Sequence, residues 1–395
     1  MTNHICMIAY TTYSTDARVR REAETVASLP GCLVSVVVLR EGPDPRNYVV
    51  DGVEVLELNV PKYRGKSTLR YFASYLTFLM YAFGKCTAML FKGSLRLVHI
   101  HNMPNFLVFA AIVPRLFGVK AILDIHDIVI ETYSSKFGGL SNKLSKAGLH
   151  LEEWISCKLA NKIICTNHIQ QQTLVSRGIH EDKVHVIMNL PDPKRFRPRN
   201  RTGPSVSDGA FRVIYFGTIT KRLGIDLAIR AVGEIRAQVA GLEFFIYGSG
   251  EDRDEFVALS SELGVDKVVH FSEGALPLEE IIGIVQTMDL VVVPNRRSVA
   301  TDQMLPVKLL EGISLGVPVV APRLKPIEYY FDSDQVFYFD AGDVGSLGKA
   351  ILTAYEDRRA LDGKARNAMR FLERYNWETH KQELLGLYRS LAQLG

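Results

Sequence analysis

Short apolar runs alternate with helix-length amphipathic segments along this chain, and they do so in two series separated by one proline-rich basic stretch. In the first series the apolar runs 5–10, 33–39, 53–58, 97–101, 121–125, 162–166 and 184–188 predict strands, with helices such as 17–28 and 106–117 between them. Strands alternating with helices build a parallel sheet covered by crossover helices. Pro191, Pro193 and Pro198 then stand among Lys194, Arg195 and Arg197, and polar residues follow to Gly209, which is linker composition. The second series predicts strands over 212–216, 243–247, 268–271, 290–293 and 319–321, helices over 223–239, 252–263, 278–288 and 307–314, and a helical tail from Val344. The expected fold is α/β, with two Rossmann-like doubly wound domains facing a central cleft. The expected boundaries are 1–192, 193–375 and a C-terminal helix over 376–395 that packs back on the first domain. Ligands of such sheets bind beyond the carboxyl ends of the strands.

The chain has 395 residues, which suits two cores better than one. A formal charge of +4 is too small to indicate a nucleic acid partner, although it favours an anionic substrate or membrane surface slightly. The five cysteines form no C-x-x-C pair, so free thiols in a reducing compartment are expected. Met1-Thr2-Asn3-His4 leads into an apolar run without a basic leader, and a cytoplasmic chain is expected. The stretch Tyr71–Phe91 approaches membrane-spanning length, but Gly84 and Lys85 interrupt it. A buried or interfacial helix is expected there. Its basic flanks, Lys62, Arg70, Lys85, Lys92 and Arg96, suit peripheral contact with anionic lipid on the inner face of the plasma membrane.

The segment with most chemistry runs from Met304 to Ala321, MLPVKLLEGISLGVPVVA. It reads as loop, helix and strand. Pro306 suits the entry to the helix, whose first turn offers free N–H groups and a positive dipole end to a diphosphate. Lys308 adds a full charge there, Glu311 follows one turn later on the same face, and Gly316 and Pro318 end the helix. A carboxylate beside a phosphate seat can accept hydrogen bonds from adjacent ribose hydroxyls. A surface Lys–Glu pair has the same spacing. In Tyr215–Asp226, Gly217 permits close backbone approach after a strand, and Lys221 and Arg222 sit where a helix start would meet phosphate. In Leu123–Asp127, His126 lies just past a strand end, followed by Asp127. His99 and His101 point to one side of a strand, a spacing that suits a metal, but no third ligand is evident from spacing. Asp16 can cap the helix that carries Arg18.

The Met304–Ala321 segment resembles the donor motif of glycosyltransferase family 4, in the branch reading L-P-x-K-L-x-E-x-x-x-x-G-x-P-V-V. Similar cues run over nearly the whole chain. The resemblance implies the GT-B fold and a retaining glycosyltransferase in polysaccharide or glycolipid biosynthesis, which moves a sugar from a nucleotide sugar to a glycan or lipid-linked acceptor. It implies no metal and no cofactor beyond the nucleotide sugar. Gly217, Thr218, Lys221, Arg222, Gln303, Lys308, Leu309 and Glu311 would hold the donor, with Glu311 on the ribose. His126 and Asp127 would stand at the reacting centre, and Asp16, Arg18, His101 and Asn102 on the acceptor side. The family's usual first Glu of a Glu-x7-Glu pair is Gln303 here, so the residue that would read the donor sugar has changed. The family's Arg after the first glycine is Thr218, and its following Lys is Leu223, which leaves Arg222, then Lys221, for the phosphate. A nucleotide-sugar epimerase and a non-catalytic nucleotide-sugar-binding protein are the alternatives.

Overall fold

The computed structural model describes residues 3–63, 65, 67–136, 143–198 and 209–392. The chain divides into two compact units, Met1–Asn189 with Glu378–Gly395, and Leu190–Trp377. The division falls three residues before the expected boundary. Residues 199–208 of the expected linker lie outside the described residues.

The first unit is an eight-stranded sheet built from β1 (Asn3–Ala9), β2 (Cys32–Arg40), β3 (Asn47–Val50), β4 (Val53–Pro61), β5 (Leu95–His101), β6 (Lys120–Ile125), β7 (Lys162–Cys165) and β8 (Val184–Val186). Their order is β3-β4-β2-β1-β5-β6-β7-β8, and only β3 runs antiparallel. The strand sequences are continuous apolar runs because both faces are covered: Ile5, Cys6, Met7 and Ile8 are all fully buried. β3 was not expected from its four residues. Its signal is Asp51-Gly52, a dipeptide that supports a two-residue hairpin and has φ of 50° and 77° here.

Two elements differ from expectation in an instructive way. The predicted helix 106–117 is a 3-10 segment, Asn105–Ala111, followed by a short α-helix, Ile112–Leu116. Pro114 has no N–H to continue a helix from the preceding turn, so it sits in the first turn of a new one. The long helix Thr68–Phe91 buries Tyr75, Phe78, Leu79, Ala82, Cys86 and Met89 against the sheet. Leu69, Phe72, Leu76 and Met80, spaced three and four apart on another face, remain exposed. Among the described residues, no helix is long and apolar enough to cross a membrane.

The second unit is a six-stranded parallel sheet of β9 (Phe211–Thr218), β10 (Leu242–Ser249), β11 (Val269–Phe271), β12 (Leu290–Val292), β13 (Val319–Pro322) and β14 (Phe337–Phe339), in the order β11-β10-β9-β12-β13-β14. Strand order reverses between β9 and β12 in this sheet and between β1 and β5 in the first. Each reversal opens a crevice at the carboxyl edge. The final helix, Trp377–Ala392, belongs to the first unit from Glu378 onward, and its Tyr388 is fully buried there.

The helix Val307–Ser314 lies close on β12 and β13 because Gly312 has no side chain. A Cβ there would stand 3.2 Å from methyl carbons of both Val291 and Val319. Gly312→Val is therefore expected to lower unfolding stability by about 1–3 kcal/mol through overpacking, measured by urea denaturation, and to displace the helix that carries Lys308.

Candidate functional site

In the second unit, the ends of β9 and β10 meet through glycines. Gly217 and Gly248 have φ of 134° and 150°, and a Cβ on Gly248 would stand 1.8 Å from the Gly217 carbonyl oxygen. Only glycine permits that approach. The Lys308 side chain lies over Gly217, with Cε 3.0 Å from where a Cβ would be. Its Nζ donates to Glu311 Oε2 at 2.8 Å and stands 5.0 Å from the Phe216 ring centroid. Pro306 caps the Lys308 helix without a side-chain hydrogen bond, and of the first-turn N–H groups that of Leu309 donates to the Pro306 carbonyl at 3.1 Å. A cleft of about 310 Å³ opens beside these groups, lined by Gly217, Thr218, Gly248, Ser249, Leu278 and Lys308 among others.

Glu311 is largely buried, and burial raises its pKa above the ordinary glutamate value, with Lys308 opposing the shift. A buried carboxylate held by one lysine is a strong hydrogen-bond acceptor. Leu309 is fully buried in the core, so only its main chain can face a ligand.

Of the expected donor residues, Gly217, Thr218, Lys308 and Glu311 come together. Gln303 lies in a helical turn, Thr301–Gln303, just before the Lys308 helix. Lys221 is bound elsewhere: its Nζ pairs with Glu255 at 2.7 Å, and its N–H donates to Asp252 at 2.8 Å. Arg222 is exposed, and neither cation lines the cleft. The lysine over Gly217 is Lys308, from a distant part of the chain. Ser272 escaped emphasis in the sequence, yet its hydroxyl accepts from the Gly248 N–H at 3.0 Å and holds this loop.

In the first unit, the carboxyl edge carries a buried polar cluster. Asp16 caps its helix, accepting from the Val19 N–H at 3.1 Å. From the sequence, Arg18 is expected on the acceptor side; its guanidinium is buried, donating to Asp124 Oδ1 at 2.7 Å, to Asp124 Oδ2 at 3.1 Å and to the Ile187 carbonyl at 3.2 Å. It also lies 3.2 Å from Glu22. The reason is charge: Asp124 is fully buried at the end of β6, and the Arg18 guanidinium is the group that meets both of its oxygens.

Asp124 is also the carboxylate that holds His126. His126 Nε2 lies 2.9 Å from Asp124 Oδ2, and His101 Nδ1 lies 3.1 Å from both. Asn102 shapes the loop instead of opening to solvent. Its Oδ1 accepts from the His126 N–H at 2.8 Å, and its Nδ2 donates to the Asp127 carbonyl at 2.7 Å. His99 is buried behind His101, with its Nδ1 hydrogen-bonded to the Tyr388 hydroxyl of the C-terminal helix.

Burial works against charge on Asp124, but Arg18 and His126 hold its carboxyl well below the usual carboxylate range. Burial likewise disfavours a charged His126, yet Asp124, with help from Asp16, raises its pKa above the ordinary histidine value. Burial raises Glu22, with Arg18 opposing. Glu22, His99, His101 and Asp124 offer atoms that all lie within 4.8 Å of one another, a spacing that a metal ion could bridge. The positive charge among them is already supplied by Arg18. The sequence reading missed Asp124 and Glu22 because Asp124 is a single acid in an apolar strand and Glu22 one of several charged residues on the helix after β1.

Two Rossmann-like units, each with a crevice at the switch point of its parallel sheet, are the architecture of the GT-B glycosyltransferases. Residues 15–189 match the Glycosyl transferase 4-like domain, and residues 210–357 match Glycosyl transferases group 1. The chain belongs to this glycosyltransferase family and is a transferase enzyme. A GDP-mannose-dependent alpha-(1-6)-phosphatidylinositol monomannoside mannosyltransferase of Mycolicibacterium smegmatis is 31% identical over 202 residues, 50% of this chain and 52% of that one. The match thus spans about half the length of that relative. Sucrose-phosphate synthase from Thermosynechococcus elongatus has a similar fold, with TM-score 0.79 at 16% identity over 98% of this chain and 99% of that one. Anabaena HepE in complex with UDP-glucose has TM-score 0.70 at 16% identity, over 98% and 100% of the two chains.

Glu311 binds its proton more readily in the folded chain than in the unfolded one. Stability is therefore lost as pH rises from the unfolded glutamate pKa through the folded value. Glu311→Gln is expected to raise the melting temperature above wild type at pH 7–8, with the difference vanishing near pH 4, read by calorimetry across pH.

Proposed function

We propose that this chain transfers a sugar, with retention and without a metal, from a nucleotide sugar to a hydroxyl of a glycan or lipid-linked acceptor in cell-surface polysaccharide or glycolipid synthesis. The observation that carries this reading is the Lys308–Glu311 pair beside Gly217, at the start of a helix and at the switch point of the second sheet. The Lys308 ammonium and the first-turn N–H groups would meet the charge that develops on the departing diphosphate. Glu311 would accept from the ribose hydroxyls, and the apolar wall at Leu278 would face the base. Gln303 would take the place near the donor sugar with an amide. On the first unit, His126 would face the reacting centre and Asp127 the acceptor. The solved HepE complex with UDP-glucose supports a nucleotide-sugar ligand, and the mannosyltransferase relative supports a lipid-linked acceptor.

Isothermal titration with UDP and GDP, chosen after a thermal-shift screen of nucleotide sugars, tests the donor seat. Lys308→Ala and Glu311→Ala are expected to weaken nucleoside diphosphate binding about 10- to 100-fold, or about 1.4–2.8 kcal/mol, and to abolish transfer without unfolding the chain. Unchanged binding in both would overturn the assignment. A sugar-nucleotide epimer formed without acceptor would favour the epimerase reading, and tight binding without turnover would favour a binding protein.

The exposed row Leu69, Phe72, Leu76 and Met80, with Arg70 and Lys85 exposed on the same helix, supports peripheral attachment of a cytoplasmic chain to an anionic membrane. Sedimentation with phosphatidylglycerol vesicles is expected to carry down the wild-type chain, and Leu69→Ser with Phe72→Ser to reduce this about tenfold or more. Equal binding to neutral phosphatidylcholine vesicles would contradict the role of the basic residues.

A further inference from the structure

The chain leaves the first sheet at His126, one residue past the end of β6. The last ladder contacts of β6 join Asp124 to His101 of β5 and Ile125 to Cys165 of β7. Beyond them the main chain has no strand to pair with, and unpaired polar groups this close to a buried sheet are costly. Two side-chain amides take the place of the missing partners, one arriving from each flanking strand. From the β5 side, Asn102 Oδ1 accepts from the His126 N–H at 2.8 Å, and Asn102 Nδ2 donates to the Asp127 carbonyl at 2.7 Å. From the β7 side, Gln170 Nε2 donates to the His126 carbonyl at 3.3 Å. Gln170 lies in the first turn of the helix His168–Ser176, and only 1% of it is exposed.

Main-chain groups dictate how both amides are turned. Gln170 Oε1 accepts from the N–H and from the hydroxyl of Thr166, each at 2.9 Å. A peptide N–H can only donate, so the oxygen stays at Thr166 and the nitrogen faces His126. Asn102 is fixed in the same way, because its oxygen meets a peptide N–H and its nitrogen a carbonyl. Both amides are anchored in turn. The Gln170 N–H donates to Asn167 Oδ1 at 3.0 Å, and Asn102 Nδ2 also donates to Asn105 Oδ1 at 2.9 Å. Holding Thr166 needs only the oxygen of Gln170. Its nitrogen is turned to the loop that carries His126 and Asp127.

We propose that Gln170 is a positioning residue for transfer: with Asn102 it clamps the main chain at His126, so that the His126 ring and the Asp127 carboxylate meet the acceptor without first having to be ordered. This rests on the reading that places His126 and Asp127 at the reacting centre. Gln170 acts through the His126 carbonyl and not on the substrate. A shift of about 1 Å at a reacting group is enough to slow turnover about 100-fold, so a clamp on the main chain acts on rate. The nucleotide seat in the second unit is built from other elements, and its affinity is independent of this clamp.

The first test is amide hydrogen exchange of the whole chain, followed over residues 122–130. In the wild type the His126 and Asp127 amides are expected to be protected. In Gln170→Leu, which keeps the bulk and removes the donor, they are expected to exchange about tenfold faster, while Ile122–Asp124 stay protected. Wild-type amides at 126 and 127 that exchange as freely as an exposed loop would overturn the clamp, whether or not any variant folds. Turnover is read as UDP released from UDP-glucose or GDP released from GDP-mannose, with a membrane lipid extract as acceptor. Gln170→Leu is expected to lose about 10- to 100-fold in kcat, with donor KM and nucleoside diphosphate binding as in wild type. Gln170→Glu separates the two ends of the side chain: it keeps an oxygen for Thr166 and loses the donor to His126, and a similar loss in kcat is expected. Wild-type kcat in folded Gln170→Leu and Gln170→Glu, with only the melting temperature lowered, would mean that Gln170 serves the fold alone, and would refute the positioning role. His126→Ala distinguishes this inference from the reading beneath it. Full turnover in His126→Ala would overturn that reading, and the positioning role with it. Lost turnover in His126→Ala beside wild-type kcat in Gln170→Leu would overturn this inference alone.

Discussion

The bidentate contact between Arg18 and Asp124 orders the carboxyl edge of the first sheet. Asp124 ends a strand in the middle of that sheet, where no water reaches it, and an unpaired carboxylate there would cost several kcal/mol. Arg18 arrives from the helix after β1 and neutralises it. Once that pair exists, His101, His126 and Glu22 have a charged centre to arrange themselves around, and His99 follows as the ring stacked behind His101. The Tyr388 hydroxyl then ties the C-terminal helix to His99. Helix, two neighbouring strands and C-terminal helix thus share one electrostatic anchor.

The second unit solves a different problem. Its cleft keeps polar groups accessible in place of burying them. Glycines at two strand ends bring main chain close to main chain, and Lys308 lies over the gap. Lys308 and Glu311 satisfy each other at 2.8 Å. Glu311 is nearly sealed while Lys308 stays more than a third exposed, so the lysine keeps freedom to move that the carboxylate lacks. Gly312 lets the helix lie close enough to the sheet for both to reach the crevice.

Much of the fold was legible because parallel strands buried on both faces leave unbroken apolar runs. The Lys308 helix was read to its observed ends, since Pro306 and Gly316 mark both. The elements that escaped were short edge strands, β3 and β14, whose few residues carry little pattern. Lys308 and Glu311 were legible as a pair because both lie within one helical turn. Lys221 and Arg222 looked equally suited to phosphate, but Glu255 and Asp252, thirty residues away, bind Lys221, and nothing local announces that.

The sequence by itself determined two doubly wound α/β units and the pairing of Lys308 with Glu311 within one helix, because periodicity and spacing along one element carry that information. Only the tertiary structure decided the partners of Arg18 and His126. Arg18 and Asp124 are 106 positions apart and meet because β1 and β6 flank β5 in the sheet. Whether a guanidinium greets a ligand or neutralises a buried acid depends on which carboxylate the folded sheet brings to it, and no local pattern encodes that choice.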